Sequence, residues 1–216
     1  MAIDHTSGDA LILDQSGVSI LALSAGAPVV RREPQPADPA APSLGARYFP
    51  ATHHNLADPF LAFWLRYGGV DAFGYPQTES FIEDAYLVQY TDHALLERVD
   101  GRVVPAPLGR RLTAGRRFSR VAPFASTATR LYFARTGHSL SGGFLTYWKN
   151  HNGPVVLGAP ISEVVAEGNG DGSGRRYPLQ WFENGRLEYH PEAAHTRYAF
   201  ELGLLGLQAL RAGVGP

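Results

Sequence analysis

"YFPATHHNLADPFLAFWLRYGG" (residues 48–69) and "YFARTGHSLSGGFLTYWKNHNG" (residues 132–153) are one segment written twice, and their comparison decides how the chain is read. At an offset of 84 residues, Tyr132 falls on Tyr48, Phe133 on Phe49, Thr136 on Thr52, His138 on His54 and Leu140 on Leu56. The match runs on without a gap through Phe144 on Phe60, Leu145 on Leu61, Trp148 on Trp64 and Gly153 on Gly69, and ends at Gly158, Pro160 and Glu163 on Gly74, Pro76 and Glu79. Twelve identities fall in the 32 positions from 48 to 79. An internal repeat dictates architecture, so it is read before any motif. Seven extra residues then enter the second copy, and at an offset of 91 Gln180, Leu187 and Glu188 fall on Gln89, Leu96 and Glu97, with Trp181 on Tyr90. A weaker match sets Leu202-Gly203 on Leu108-Gly109.

Each copy has a local reading. Asp58 followed by Pro59 is a helix start, a capping residue with proline at the first helical position, and Ser141 is the cap in the second copy. Phe60, Leu61, Trp64 and Leu65 have the spacing of a buried helical face. Gly68-Gly69 and Asn152-Gly153 end the two helices. "FGYPQTE" and "LGAPISE" are turns, with glycine for close approach and proline to set φ. "LVQYTDHALLERV" and "YPLQWFENGRLEYHP" read as β-hairpins, the second with Asn184-Gly185 at its tip, and Tyr198 to Leu210 reads as a C-terminal helix. The predicted fold is α+β: two tandem units, each a helix packed on a small antiparallel β-hairpin sheet, over residues 47–113 and 131–216. Residues 1–30 are expected to form an N-terminal strand pair turning at Asp14-Gln15-Ser16-Gly17; residues 31–46 form a proline-rich extended linker, and residues 114–130 an arginine-rich connector.

Composition excludes several function classes. The 216 residues are 44% hydrophobic and 18% charged, the composition of an ordinary globular chain, and the net charge of -1 gives no bulk attraction to polyanions. Without cysteine there are no disulfides, thiolate nucleophiles or cysteine-ligated zinc. No apolar run approaches the roughly 20 residues of a membrane helix. The N-terminus carries Asp4, Asp9 and Asp14 and no Arg or Lys before its apolar stretch, the wrong charge for a secretory signal.

"LGAPISE…LQWFENGRLEYHP" (residues 157–191) is similar to the LGFP-type repeat: a Leu-Gly-x-Pro turn, an acidic residue, then a phenylalanine-glycine hairpin. Together with "TGHSLSGGFLTYW" it looks like a tandem module common in exported proteins of Chloroflexota-type bacteria. The resemblance spans both copies, clearer in the second; Tyr75, Gln77 and "TDHALLERV" depart from the pattern in the first. It implies an extracytoplasmic, cell-envelope location and an accessory role beside a separate catalytic domain.

His54 and His138 are read as histidines bonding backbone near the helix start rather than as metal ligands or bases; His53 faces Gly137 in the other copy, so the His-His pair belongs to one copy only. "EYHPEAAH", with Glu188, His190, Glu192 and His195, lacks zincin spacing, because the histidines are five apart and Pro191 follows the first. Asn169, Asp171 and Ser173 imitate half a calcium loop, but position 180 is glutamine where a bidentate glutamate is needed. Glu79 with Glu163 and Glu97 with Glu188 are duplicated carboxylates, which favours capping or arginine pairing over a glycosidase pair. Arg110, Arg111, Arg116, Arg117 and Arg120 read as a connector whose arginines pair with nearby acids.

The aromatic residues carry the functional expectation. Trp181 and Tyr189, with Gln180 and Asn184, are the expected ligand-binding platform for sugar rings, with Tyr90 and Gln89 as weaker counterparts. The expected function is a non-catalytic envelope-associated module binding cell-wall glycan or another surface polysaccharide, with no cofactor, metal, nucleic acid or membrane span. Two rivals stand beside it. A scaffold for protein partners or self-association requires a sizeable exposed apolar patch, and a wall-polymer hydrolase requires Glu188, His190 and His138 to converge in one cleft.

Overall fold

Glycine and proline turns between short apolar runs build an α+β chain of small antiparallel sheets and short helices, described by a computed structural model over residues 2–3, 10–14, 17–21, 45–169 and 173–216. The chain divides into Met1–Glu33 and Pro34–Pro216. In the first part, β1 (Ala2–Ile3), β2 (Ala10–Asp14) and β3 (Gly17–Leu21) form an antiparallel sheet in the order β1-β2-β3, so a short third strand joins the expected pair. The expected linker falls almost entirely outside the described residues.

In the second part, β4 (Ala46–Phe49) and β5 (His54–Ala57) form a hairpin. Helices α1 (Phe60–Arg66) and α2 (Gly69–Phe73) follow, then a four-stranded meander of β6 (Phe81–Glu83), β7 (Tyr86–Tyr90), β8 (Leu95–Val99) and β9 (Arg102–Pro105), then α3 (Leu108–Leu112). The same order returns as β10 (Arg130–Phe133), β11 (His138–Ser141), α4 (Gly142–Asn150), α5 (Gly153–Val156), β12 (Val165–Glu167), β13 (Tyr177–Trp181), β14 (Arg186–Tyr189), β15 (Phe200–Leu202) and α6 (Leu205–Ala212).

At the start of α1 the Asp58 carboxylate accepts the Ala62 N–H at 3.0 Å, satisfying one of the helix's unpaired donors, but it is Pro59 that occupies the capping position, and Ser141, in that position for α4, makes no side-chain capping bond. Phe60, Leu61 and Trp64 are buried as predicted, but Leu65 is 59% exposed, and Lys149 occupies the matching place in α4. A helix of seven residues turns only a narrow stripe inward, and Leu65 lies past its edge. The glycines after α1 and α4 do more than end them, since Gly69 and Gly153 open a second short helix in each half.

The Gly-x-Pro turns lock each meander to its helices. Gly74 and Gly158 both have φ +74°, and a Cβ on Gly74 would lie 2.4 Å from Asp92. The carbonyls of these glycines accept the indole N–H groups of Trp64 and Trp148, each at 2.9 Å. Both hairpin tips are four-residue loops, Thr91–Ala94 and Phe182–Gly185, closed by Thr91 N–H to Ala94 O and Phe182 N–H to Gly185 O. Asn184-Gly185 is therefore not a two-residue turn, which needs positive φ at its first position at least; neither residue has it.

The chain ends also differ from expectation. Tyr198 to Leu210 is not one helix: a 3₁₀ turn at Arg197–Ala199 leads into β15, and α6 begins only at Leu205. The partner of Leu108-Gly109 is Leu205-Gly206, not Leu202-Gly203. Leu108 and Leu205 are both fully buried, and each opens its helix with an N–H donated two residues back, to Ala106 O and Gly203 O. These two helices cross between the halves. Arg110 N–H in α3 donates to Glu183 O of the second hairpin loop, and Leu207 N–H in α6 donates to Asp92 O of the first.

Both hydrophobic clusters consequently draw on both halves. One gathers Phe49, Leu56, Phe60, Trp64 and Phe73 with Leu140, Phe144, Leu145 and Phe182; the other gathers Val88, Tyr90, Leu95 and Leu108 with Leu179, Trp181 and Leu205. Neither half buries its sheet alone, a consequence of small size.

Candidate functional site

Gln89 and Gln180 stand on the inner faces of β7 and β13, where each amide reaches into a bend of backbone. Gln180 Nε2 donates to Ser139 O at 2.8 Å and Ser162 O at 2.7 Å; Gln89 Nε2 donates to Asn55 O and Thr78 O, both at 2.7 Å. Each is 1% exposed. They stitch three chain segments together and have no face left for a ligand.

Trp181 is 5% exposed and Tyr90 1%. The Trp181 ring lies under two guanidinium groups, Arg186 at 5.1 Å and Arg116 at 5.5 Å, and its N–H points to Glu167 at 3.3 Å. Tyr90 stacks on Phe81 and donates its hydroxyl to Glu83 at 2.7 Å. Asn184 is bound within the hairpin loop region, its amide donating to Val155 O, and Tyr189 packs on Phe200 with ring centroids 5.0 Å apart. Of the expected platform of Trp181, Tyr189, Gln180 and Asn184, with Tyr90 and Gln89, four side chains are thus buried, and only Tyr189 and Asn184 are half-buried. A strand turns alternate side chains inward, and in this register Trp181 and Tyr90 face the core.

His54 and His138 take equivalent places on β5 and β11, with Nδ1 3.4 Å from Glu79 and 3.3 Å from Glu163. The same glutamates accept the Asn55 and Ser139 N–H groups at 2.7 and 2.8 Å. The pairing holds the hairpin against the Gly-x-Pro turn in both halves. Burial pushes His138 below the usual imidazole range, against the hydrogen bond and charge of Glu163 and helped by Arg120; burial likewise lowers His93, against the charges of Asp92, Glu201 and Glu188 and the Gly203 carbonyl. The folded chain therefore binds fewer protons than the unfolded chain just below the unperturbed value of about 6.5, so stability rises with pH there. Acidification from about pH 7.5 to about pH 5.5 is expected to lower the urea midpoint, and less so in His138→Asn. An unchanged midpoint contradicts this.

The acidic and aromatic groups converge elsewhere. A cleft of about 450 Å³ opens between α2, α4, α6 and the β14–β15 edge. Its walls include Tyr147, His151, Tyr198, Glu188, Glu201 and Gln208. Tyr147 and His151 stack at 4.0 Å with planes 12° apart, and Tyr198 is 51% exposed. Burial, then the negative charges of Asp71 and Glu201, push the Tyr147 hydroxyl up to about 12, so it remains a donor throughout the neutral range. Glu188 and Glu201 face each other across the strand pair. His190 Nε2 lies 3.4 Å from Glu188 and 3.8 Å from Glu201 and makes no hydrogen bond among the described residues. The buried Glu188 is held by Arg186 at 2.6 Å.

This cleft was legible only as a difference between the copies. Glu97 stands where Glu188 does, but it is paired with Arg111 at 2.8 Å, and three residues into α6 the counterpart of Arg111 is Gln208. Val99 replaces His190, and Val104, opposite Glu97, stands in the place of Glu201. Tyr147, Tyr198, Asp71 and His93 carried no spacing signal at all.

The other expected constellations disperse. His138 borders a different cavity from Glu188 and His190, so the three side chains of the hydrolase reading do not converge. His190 Nδ1 meets Glu192 at 3.2 Å, whereas His195 is an exposed residue with φ +71°. Half of the Asn169–Gly174 loop, Asp171 included, lies outside the described residues. Among the described residues no group of three or more His, Cys, Asp or Glu is placed to hold a metal ion, and no helix is long and apolar enough to cross a membrane. No protein-family model matches the chain, and no curated protein matches it.

Proposed function

We propose that the chain is a tandem pair of LGFP-like units forming a non-catalytic binding module of the cell envelope, and that the cleft beside β14 and β15 takes a segment of wall glycan or another surface polysaccharide. One observation carries this reading: the cleft combines an exposed ring, Tyr198, and the Tyr147–His151 stack with the planar polar ends of Gln208, Glu201 and Arg197. A pyranose offers C–H faces that lie on aromatic rings and paired hydroxyls that bridge planar amide, carboxylate and guanidinium groups. The cleft volume suits one or two such rings. Support for the tandem organisation comes from the recurrence of the bonds of Gln89, Glu79 and Trp64 at Gln180, Glu163 and Trp148. Support for an envelope location comes from the likeness of "LGAPISE" and "QWFENGRLEYHP" to LGFP-type repeats. Glu188, tied to Arg186, suits a fixed acceptor better than a proton shuttle.

The experiment is a pull-down of the purified protein on insoluble peptidoglycan and a set of polysaccharides, with Tyr198→Ala and Gln208→Ala alongside. Binding by the parent chain and a loss of about tenfold or more in Tyr198→Ala, at unchanged melting temperature, is the expected result. Absence of binding to every polymer, or binding indifferent to both substitutions, overturns it.

A further inference from the structure

A cavity of about 320 Å³ is bordered by Arg110 of α3, Arg116 and Arg120 of the connector, and Arg135 and His138 of the β10–β11 hairpin. Folding gathers these cations from three separate chain segments, and all four arginines are exposed. Two carboxylates oppose them directly. Glu183 accepts from Arg110 at 2.7 Å and from Arg135 at 2.6 Å, and Glu167 accepts from Arg116. Arg120 pairs with no carboxylate among the described residues, and Glu163 is engaged by His138 and Ser139. Four guanidinium groups against Glu183 and Glu167 leave the cavity cationic.

Packing does not require this set. In the first half the corresponding loop acid, Asp92, is satisfied by the Tyr75 N–H at 2.7 Å and the Gln77 amide at 2.6 Å, with no guanidinium. Ala51 stands in the place of Arg135 and Leu207 in the place of Arg110. The skeleton of Gln, Glu–His pair and indole is common to both halves, whereas the arginines belong to one.

We propose that this cavity binds a phosphoryl group, free or carried on a polymer. Guanidinium is suited to that ligand: its five N–H donors form a planar fork that meets two oxygens at once, and it stays charged at any physiological pH. The bonds to Glu183 occupy two donors of Arg110 and one of Arg135, which leaves donors for an incoming oxyanion. The site is separate from the glycan cleft and does not depend on that reading.

Calorimetric titration at low ionic strength tests it, with inorganic pyrophosphate in one arm and long-chain polyphosphate in the other. The variants are Arg120→Gln and Arg135→Gln, with Arg117→Gln, outside the cavity lining, as the charge-matched control. The parent chain is expected to bind, each cavity variant to weaken binding by about tenfold, and Arg117→Gln by less than about twofold. Saturable pyrophosphate binding supports a small-molecule source, and binding confined to polyphosphate supports a polymer; either supports the site. Arg120→Gln keeps the test open should Arg135→Gln loosen Glu183. No binding in either arm, or equal weakening by Arg117→Gln, overturns the proposal.

Discussion

Gly206→Ala is expected to destabilise the protein by on the order of 3 kcal/mol, although alanine is the better helix former by about 1 kcal/mol. Gly206 lies in the first turn of α6, where the helix backbone rests directly on the first hairpin loop. A Cβ there would sit 2.1 Å from Thr91 O and 2.5 Å from Ala94 O. Both obstacles are backbone atoms in a closed loop, so no side chain can swing aside. Gly109→Ala makes the same collision in the other half, 1.9 Å from Phe182 O, and its cost is expected to match. Because α3 and α6 each seat on the opposite half, either substitution pries the halves apart. Urea denaturation of both variants checks this, and a midpoint equal to the parent's refutes it. Gly115→Ala has nothing within 4 Å of the added carbon, so it reports only the cost of a positive φ.

Gln180→Leu is the second large effect, expected at about 2–6 kcal/mol of lost stability. Leucine fits the volume but donates nothing, and the carbonyls of Ser139 and Ser162 are then buried without their partner. Each such orphan costs about 1–3 kcal/mol. Gln180→Glu is no remedy, because an ionised carboxylate only accepts and would face two carbonyl oxygens. Gln89→Leu, which strips Asn55 O and Thr78 O, is expected to fall in the same range. Equilibrium unfolding monitored by indole fluorescence measures both. If either leucine variant is as stable as the parent, the glutamines are not the stitching they are described to be. A glycan-binding assay on variants that still fold adds a second readout: these positions are interior, so affinity is expected to hold while stability drops.

Those glutamines mark where the amino-acid pattern misleads. Polar residues beside aromatics on a hairpin strand resemble a sugar platform, and alternation does put Gln180 and Trp181 on opposite faces of β13. It cannot tell that both faces are covered. β5, β11 and the Gly-x-Pro turns close over one face, and Arg116, Arg186 and the Leu205 helix close over the other. Covering a face is a long-range event, fixed by segments 18 to 41 residues away in the chain.

Much else is written locally. The Asp58–Ala62 bond, the Gly74 and Gly158 turns, the antiparallel hairpins and the 84-residue offset all follow from side-chain chemistry within a few positions, and the α+β class follows from them. So does the pairing of most connector arginines with acids, although the partners, Glu183, Glu97 and Glu167, were beyond local reading. Beyond the difference between the copies at Glu188 and His190, the cleft was not legible, because its walls come from α2, α4, α6 and β15 and no spacing rule links Asp71 to Tyr198. Two short helices crossing to the opposite halves decide it: their glycines permit backbone contact, and where α3 brings Arg111 onto Glu97, α6 brings Gln208 to the cleft wall shared with Glu188.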